Sequence, residues 1–430
     1  MDTGNKNNNI EKKKGGFNYL WVMIPLCCLM VLVSLGFCSS QKGLFVTPVT
    51  DAYPSISRAS YSLGDTARYI STAIVNIFFG TLIYKFGAKK LILAGFATLV
   101  ASMLVCALAT TAPLFWLGGA LLGIGLSFTS TTMVGAVVNK WCKKNKGTIM
   151  GIVLASNGIG GAIAAQILTP IVGLSSYSYK NAYVVIAGTL VITAILILIF
   201  FKNQPNKNAP KEEKKVKQKT DYRSILKTPY LYPAAICIFI TGMVLQSIHG
   251  ITTPIYKDLN MDITLMANIL SVSSIFLFFS KFGVGFMYDK IGLRSTTIIC
   301  FASAIVSTAL LAFISITGNG VVPFVYSAFS ALALPLETIM LPIYAREFFG
   351  EKRFNEALGI FVSVNTAGYA LGAPLANLCY DITKKLDLPK ILNGYNIWLY
   401  SSAALMLITL IVVNIVISVS KKAKKAEEAL

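Results

Sequence analysis

Lys281 stands in the run ILSVSSIFLFFSKFGVGF, residues 269–286, which is apolar or small everywhere else. A lysine inside such a span costs roughly 2.5–3.5 kcal/mol on insertion, so it belongs to a water-filled cavity or to a charged partner. Its chemistry is that of a fixed counter-ion for an acid. Glu337 lies in a second apolar stretch. Burial raises a carboxyl pKa, so it reads as a proton carrier or as an ion-pair partner for Lys281. Asn76, Asn157 and Asn365 sit in further apolar runs, with Tyr369 one turn beyond Asn365. Their side chains suit hydrogen bonds to a cargo, and equally hydrogen bonds across helix contacts. Helices rise about 1.5 Å per residue, which sets Lys281 roughly 12 Å from the turn at Asp289 and gives Glu337 and the three asparagines similar depths. The same count puts the single histidine, His249, near the opposite surface, hydrated or packed. Covalent chemistry is not indicated. There is no Ser/His/Asp set, no metal-ligand spacing and no phosphate loop, so neither an enzyme nor a cofactor is expected.

The elements that position these residues follow from composition. Of 430 residues, 55% are hydrophobic and 13% charged, with mean hydropathy +0.67. Soluble domains carry about 25% charged residues. Apolar runs of about 20 residues, each enough to cross ~30 Å of hydrocarbon, recur along the chain. Twelve spans are expected, at about 18–41, 64–84, 89–110, 114–138, 147–172 and 181–201, then about 230–255, 264–287, 295–316, 321–345, 356–380 and 395–419. The chain thus divides into a tail (1–17), a six-helix bundle (18–201), a basic linker (202–228), a second six-helix bundle (229–419) and a tail (420–430). The first apolar segment lacks a small-residue cleavage site and reads as a retained span. The eight cysteines have no C-x-x-C spacing and read as small hydrophobes.

The net charge of +20 does not imply nucleic acid, because the lysines and arginines segregate between loops. One side collects Lys12–Lys14, Lys85, Lys89, Lys90, Lys140, Lys143, Lys144, Lys146, the linker, Lys290, Arg294, Arg346, Lys352, Arg353 and the terminal KKAKK. The other holds Lys42, Arg58, Arg68, Lys180, Lys257, Lys384, Lys385 and Lys390. Both termini are therefore expected in the cytoplasm of a bacterial cell, with the basic segments near anionic lipid. The halves also repeat. GTLIYKFGAKK (80–90) matches GFMYDKIGLRS (285–295), and Gly151, Asn157 and Gly160 recur in phase as Gly359, Asn365 and Gly368. A repeat of this kind places a binding site between the halves near the midplane, reached by alternating access.

The turn Gly285, Asp289, Lys290, Gly292, Arg294 forms G-x-x-x-D-K-x-G-x-R. With twelve spans, a central linker and a first copy at Gly80 and Gly87, it resembles the loop signature of the major facilitator superfamily. The resemblance implies an all-α membrane protein of two pseudo-symmetric bundles and a cytoplasmic gate in which Asp289 and Arg294 make charged contacts. Tyr84 replaces the aspartate usual in the first copy, so the charged latch is expected at Asp289. SISRASYSL (55–63), NKWCKKNKGTIMGIVLASNGIGGAI (139–163) and the stretch 341–381 are similar to the branch of oxalate/formate antiporters and monocarboxylate porters. There, Lys281 occupies the place of a typical arginine, and Asn365 the place of a second cation. A lone lysine lacks the bidentate fork of arginine, which favours a monoanion. The expected function is transport of a small organic anion, a monocarboxylate, by proton symport or exchange with a counter-anion. The expected form is a monomer in the plasma membrane. Two alternatives stay open. One is carriage of larger amphipathic acids or drug efflux, and the other is a non-transporting sensor on the same fold.

Overall fold

The computed structural model describes residues 19–142, 146–175, 177–203, 225–350, 353–386, 389 and 391–428. The tail 1–17, Lys143, Lys144, Lys352, Lys390, most of the linker (204–224) and residues 429–430 lie outside them. The described chain is helical and contains no strand. The spans are α1 (Leu20–Ala52), α2 (Arg58–Phe86), α3 (Ala88–Leu108), α4 (Ala112–Val138), α5 (Ile149–Gly173), α6 (Tyr179–Phe200) and α7 (Leu231–Asp258). Next, one continuous stretch, Ile263–Thr317, breaks at Gly292 into α8 (263–291) and α9 (293–317). The bent pair Val322–Glu337 and Met340–Phe349 forms α10, followed by α11 (Glu356–Lys385) and α12 (Asn396–Ala423).

The repeat in sequence is a repeat in backbone. Gly87 and Gly292 both take φ 78°, a region closed to most side chains, and each turns one span into the next. Two separate hydrophobic cores form, one from residues 23–201 and one from 225–417. Large apolar side chains remain exposed around them, among them Ile77, Ile192 and Ile236, as lipid contact requires. All eight cysteines are free thiols.

Two boundaries differ from expectation, and both matter. The first span does not stop at residue 41. It unwinds through a π-helical turn (Leu32–Phe37) and a 3-10 turn (Lys42–Phe45), then resumes as Val46–Ala52. Span 2 starts six residues early because Ser57 caps it, its side chain accepting from the Ser60 amide at 3.1 Å. Lys42, Asp65 and Arg68 are therefore inside the bilayer-spanning body and not in outer loops.

Irregular backbone at membrane depth is tolerated only where it is buried in protein or lines a water-filled cavity. Broken α1 is held by Gln41, whose Nε2 donates to the Gly161 carbonyl of α5 at 2.8 Å. In the other half α10 breaks at the 3-10 turn Leu334–Glu337. These interruptions face each other across the seam between the halves.

The seam itself is uneven. At one end α2 meets α11: the Ala59 amide donates to Asp381 Oδ2 (3.0 Å), Asn377 Nδ2 to Ser62 Oγ (2.7 Å) and Thr66 Oγ1 to the Ala370 carbonyl (2.5 Å). There α5 meets α8 through Gln166 and Ser271, and Ser271 donates to the Ala162 carbonyl at 2.9 Å. Toward the other end, the one with the turns at Gly87 and Gly292, no cross-half hydrogen bond occurs among the described residues. A methyl group added at Gly80, Gly285 or Gly359 would meet nothing within 4 Å. The two halves diverge toward the basic turns.

Candidate functional site

Between the halves lies a cavity of about 190 Å³. The unwound part of α1 contributes Ser39, Ser40 and Gln41, and broken α10 contributes Glu337 and Thr338. Lys281 of α8 and Arg68 of α2 bring two cations to the wall, and Glu337 is the only acid among the described residues that line it. Lys281 forms no ion pair or hydrogen bond with any described residue. A cation left unpaired at this depth is costly unless water or an anion faces it.

Arg68 belongs to a second group, two of whose members, Lys42 and Arg68, loop charge alone sets on the outer side. Lys42 Nζ lies 2.9 Å from Asp65 Oδ2, and Arg68 Nη1 lies 3.8 Å from Asp65 Oδ1. Arg68 Nη2 donates to the Tyr69 hydroxyl at 2.7 Å, and the Tyr69 ring packs 5.2 Å from that of Tyr369 across the seam. Two cations share one carboxylate here, so the group carries a positive excess. Arg68 Nη1 is buried without a hydrogen-bond partner. The sequence signal for this group existed in the Asp65/Arg68 spacing of three, one helical turn. Both residues fall inside the expected span 64–84, but the loop count sets Arg68 among the outer charges, where its pairing with Asp65 does not show.

The residues singled out from sequence fall in different places. Asn157 lines the cavity and accepts from Ser40 Oγ at 2.9 Å, which ties the unwound α1 segment to α5. Glu337 does not pair with Lys281. It is buried, and one of its oxygens, Oε1, has no hydrogen-bond partner. Asn365 does not line the cavity: it is 2% exposed and lies against Gly242 of α7, and its Oδ1 has no hydrogen-bond partner. Asn76 is exposed and away from the cavity, because α2 leaves the seam beyond Tyr69. His249 is not near the surface but on the cavity wall, since α7 runs on to Asp258 and buries the turn that carries it.

At the turn expected to hold a charged latch, no charged contact crosses the seam among the described residues in this conformation. Asp289 and Lys290 are exposed, and Arg294 Nε donates to Asn414 Oδ1 of α12 at 3.2 Å, within its own half. Gly285 does not mediate close approach in this conformation, and Gly80 lies equally open. The charged latch is at the opposite end. Arg58 of α2 grips Asp258 of α7 with two bonds, at 2.7 and 2.5 Å, and its guanidinium lies 4.1 Å over the Tyr380 ring. Arg58 Nη1 also donates to the Tyr395 hydroxyl (3.2 Å), which donates onward to Asn377 Oδ1 (2.6 Å). Burial pushes the Tyr395 phenol above its usual range against the pull of Arg58, so it stays a neutral donor.

A cavity at a seam locked at one end and parted at the other is the geometry of a carrier caught in one facing. Comparison with known proteins agrees. The model of the Major Facilitator Superfamily matches residues 15–373. Sialic acid transporter NanX of Escherichia coli (strain K12) is 18% identical over 334 residues, covering 77% of this chain and 80% of the relative. Monocarboxylate transporter 2 of Mus musculus is 22% identical over 408 residues, covering 87% and 81%. Among solved structures, the nucleoside transporter NupG superposes with a TM-score of 0.74 at 14% identity, covering 93% of this chain and 99% of that one. The chain belongs to the Major Facilitator Superfamily of multi-pass membrane transporters.

Proposed function

We propose that this transporter carries a small organic anion, a monocarboxylate, with Lys281 as its counter-ion. The observation that carries the reading is the Lys281 ammonium on the cavity wall, without an acidic partner among the described residues. Arg68 adds to the positive field from the other half. A bound carboxylate neutralises the lysine and lowers the cost of enclosing it. The loaded carrier then reorients more readily than the empty one, since only differential stabilisation of the two facings can drive the change. Glu337, with one unpartnered oxygen beside the cavity, is the group through which a proton would couple, and exchange with a counter-anion is the alternative. Similarity to monocarboxylate transporters 2 and 13 supports the substrate class. Loop charge supports cytoplasmic termini in a plasma membrane, with the Arg58–Asp258 latch outside.

The test is counterflow in proteoliposomes with a panel of mono- and dicarboxylates. Lys281→Gln is expected to abolish or strongly reduce counterflow of whichever acid the parent carries. Unchanged counterflow would remove Lys281 from the mechanism.

A further inference from the structure

We infer that the cargo is a polyhydroxylated carboxylate, an acid of the sugar-acid class, and not a short alkyl acid or an amphipathic one. The inference rests on the reading above and narrows it. Its ground is the rest of the cavity wall. Among the described residues that line it, only Gly43, Gly158, Leu270, Leu277, Ala331 and Leu334 lack a polar side chain. A cavity for an alkyl or steroid-like acid is predominantly apolar with a few placed polar groups. This wall is polar by residue type, although the carbon atoms of those same side chains still supply the larger part of its surface.

The hydrogen bonding of the wall sharpens the chemistry. Thr252 Oγ1 donates to its own helix at the Ile248 carbonyl (2.7 Å), and Ser274 Oγ to the Leu270 carbonyl (2.9 Å). Ser327 Oγ, which donates to the Pro323 carbonyl (2.8 Å) and accepts from Ser273 Oγ, is fully buried and offers the cavity nothing. A hydroxyl has one proton and two lone pairs, so once the proton is spent on the backbone it presents acceptors. Thr252 also takes the Tyr326 hydroxyl at 2.7 Å, so Ser274 and the one lone pair left on Thr252 suit a ligand that brings donors. Gln246 and Thr253 line the same wall and make no side-chain hydrogen bond to described residues, so they offer an amide and a hydroxyl to the cavity. A ligand with a carboxylate at one end and hydroxyls along its body meets Lys281 and this wall together. Hexanoate, equal in carbon number to gluconate, would displace water from these groups and leave them unmet.

The test uses the full chain in proteoliposomes and three compounds of six carbons: gluconate, hexanoate and sorbitol. Saturable uptake of labelled gluconate is expected. Hexanoate and sorbitol are expected to compete roughly 10- to 100-fold less well, the factor that one or two unmet buried polar groups impose. Hexanoate competing as well as gluconate overturns the sugar-acid inference and leaves the organic-anion reading standing. Sorbitol competing as well as gluconate overturns the organic-anion reading and the inference with it. Absence of uptake for both gluconate and glucuronate, in a preparation that transports another acid, also overturns the inference. Gln246→Leu and Thr253→Val should each weaken gluconate competition about 10-fold without lowering the midpoint of thermal unfolding. Should either variant unfold, the three-compound comparison on the parent protein still decides.

Discussion

Asp258→Asn tests the latch that closes one end of the seam. The substitution keeps the shape of the side chain but replaces one acceptor oxygen by an amide that faces the Arg58 guanidinium. Arg58 is 8% exposed and Asp258 31%, and the pair makes two charge-assisted bonds at 2.5 and 2.7 Å. A hydrogen bond to a charged group contributes about 1.5–3 kcal/mol in buried surroundings. The partial exposure of Asp258 screens the pair, so we take that range for both bonds together. The bonds join α2 to α7 across the seam and exist only when this end is closed. Their loss therefore moves the balance of the two facings, by roughly 10- to 150-fold at 1.4 kcal/mol per decade. Ala373, 2% exposed beside the seam, supplies a reporter as Ala373→Cys. In nanodiscs, where both faces meet solvent, its alkylation rate read by mass spectrometry should rise by that factor in the Asp258→Asn background. Arg58→Asp combined with Asp258→Arg should return the rate toward the parent value. Alkylation within twofold of the parent after Asp258→Asn would mean that the ion pair does not hold this end shut.

Other outcomes follow from the same geometry. Glu337→Gln should leave counterflow intact but remove the effect of a pH gradient on net uptake; retained pH-driven uptake would exclude Glu337 from coupling. Asp65→Asn leaves both Lys42 and Arg68 buried without a carboxylate and should destabilise the protein by about 3–5 kcal/mol, whereas Lys42→Met, which leaves Asp65 to Arg68, should cost less, read as thermal unfolding midpoints. Gly242→Ala would drive a methyl into Asn365 and should cost about 1–3 kcal/mol, while Gly285→Ala should be near neutral in stability. Asn76→Ala should leave cargo affinity unchanged, since Asn76 lies away from the cavity.

The spans were legible because a bilayer demands long apolar runs and because two copies of one turn sit in matching places. Lys281 was legible for a related reason: a charge in such a run has few uses. Lys42 was not, because hydropathy marks where a regular helix ends, and α1 continues past its regular part through π and 3-10 turns; Asp65 and Arg68 fall inside the expected second span, but spacing does not reveal Lys42 as their partner. His249 was misplaced by the same cause in reverse, an α7 that runs longer than its apolar window. Asn365 shows a further limit. Helical rise gives a depth but says nothing of the face a side chain occupies, and this one turns toward Gly242. The latch escaped notice because Arg58 and Asp258 are 200 residues apart and look like ordinary loop charges.

The divergence of α2 from α11 beyond Tyr69 and Tyr369 has an effect outside the protein. A molecule clasped at one end and spread at the other displaces more lipid from one monolayer than from the other. Switching the clasp to the opposite end transfers that footprint between monolayers. Lateral packing of the surrounding lipids thereby becomes a term in the transport cycle, and headgroup size in either monolayer shifts the resting orientation even when no cargo is present.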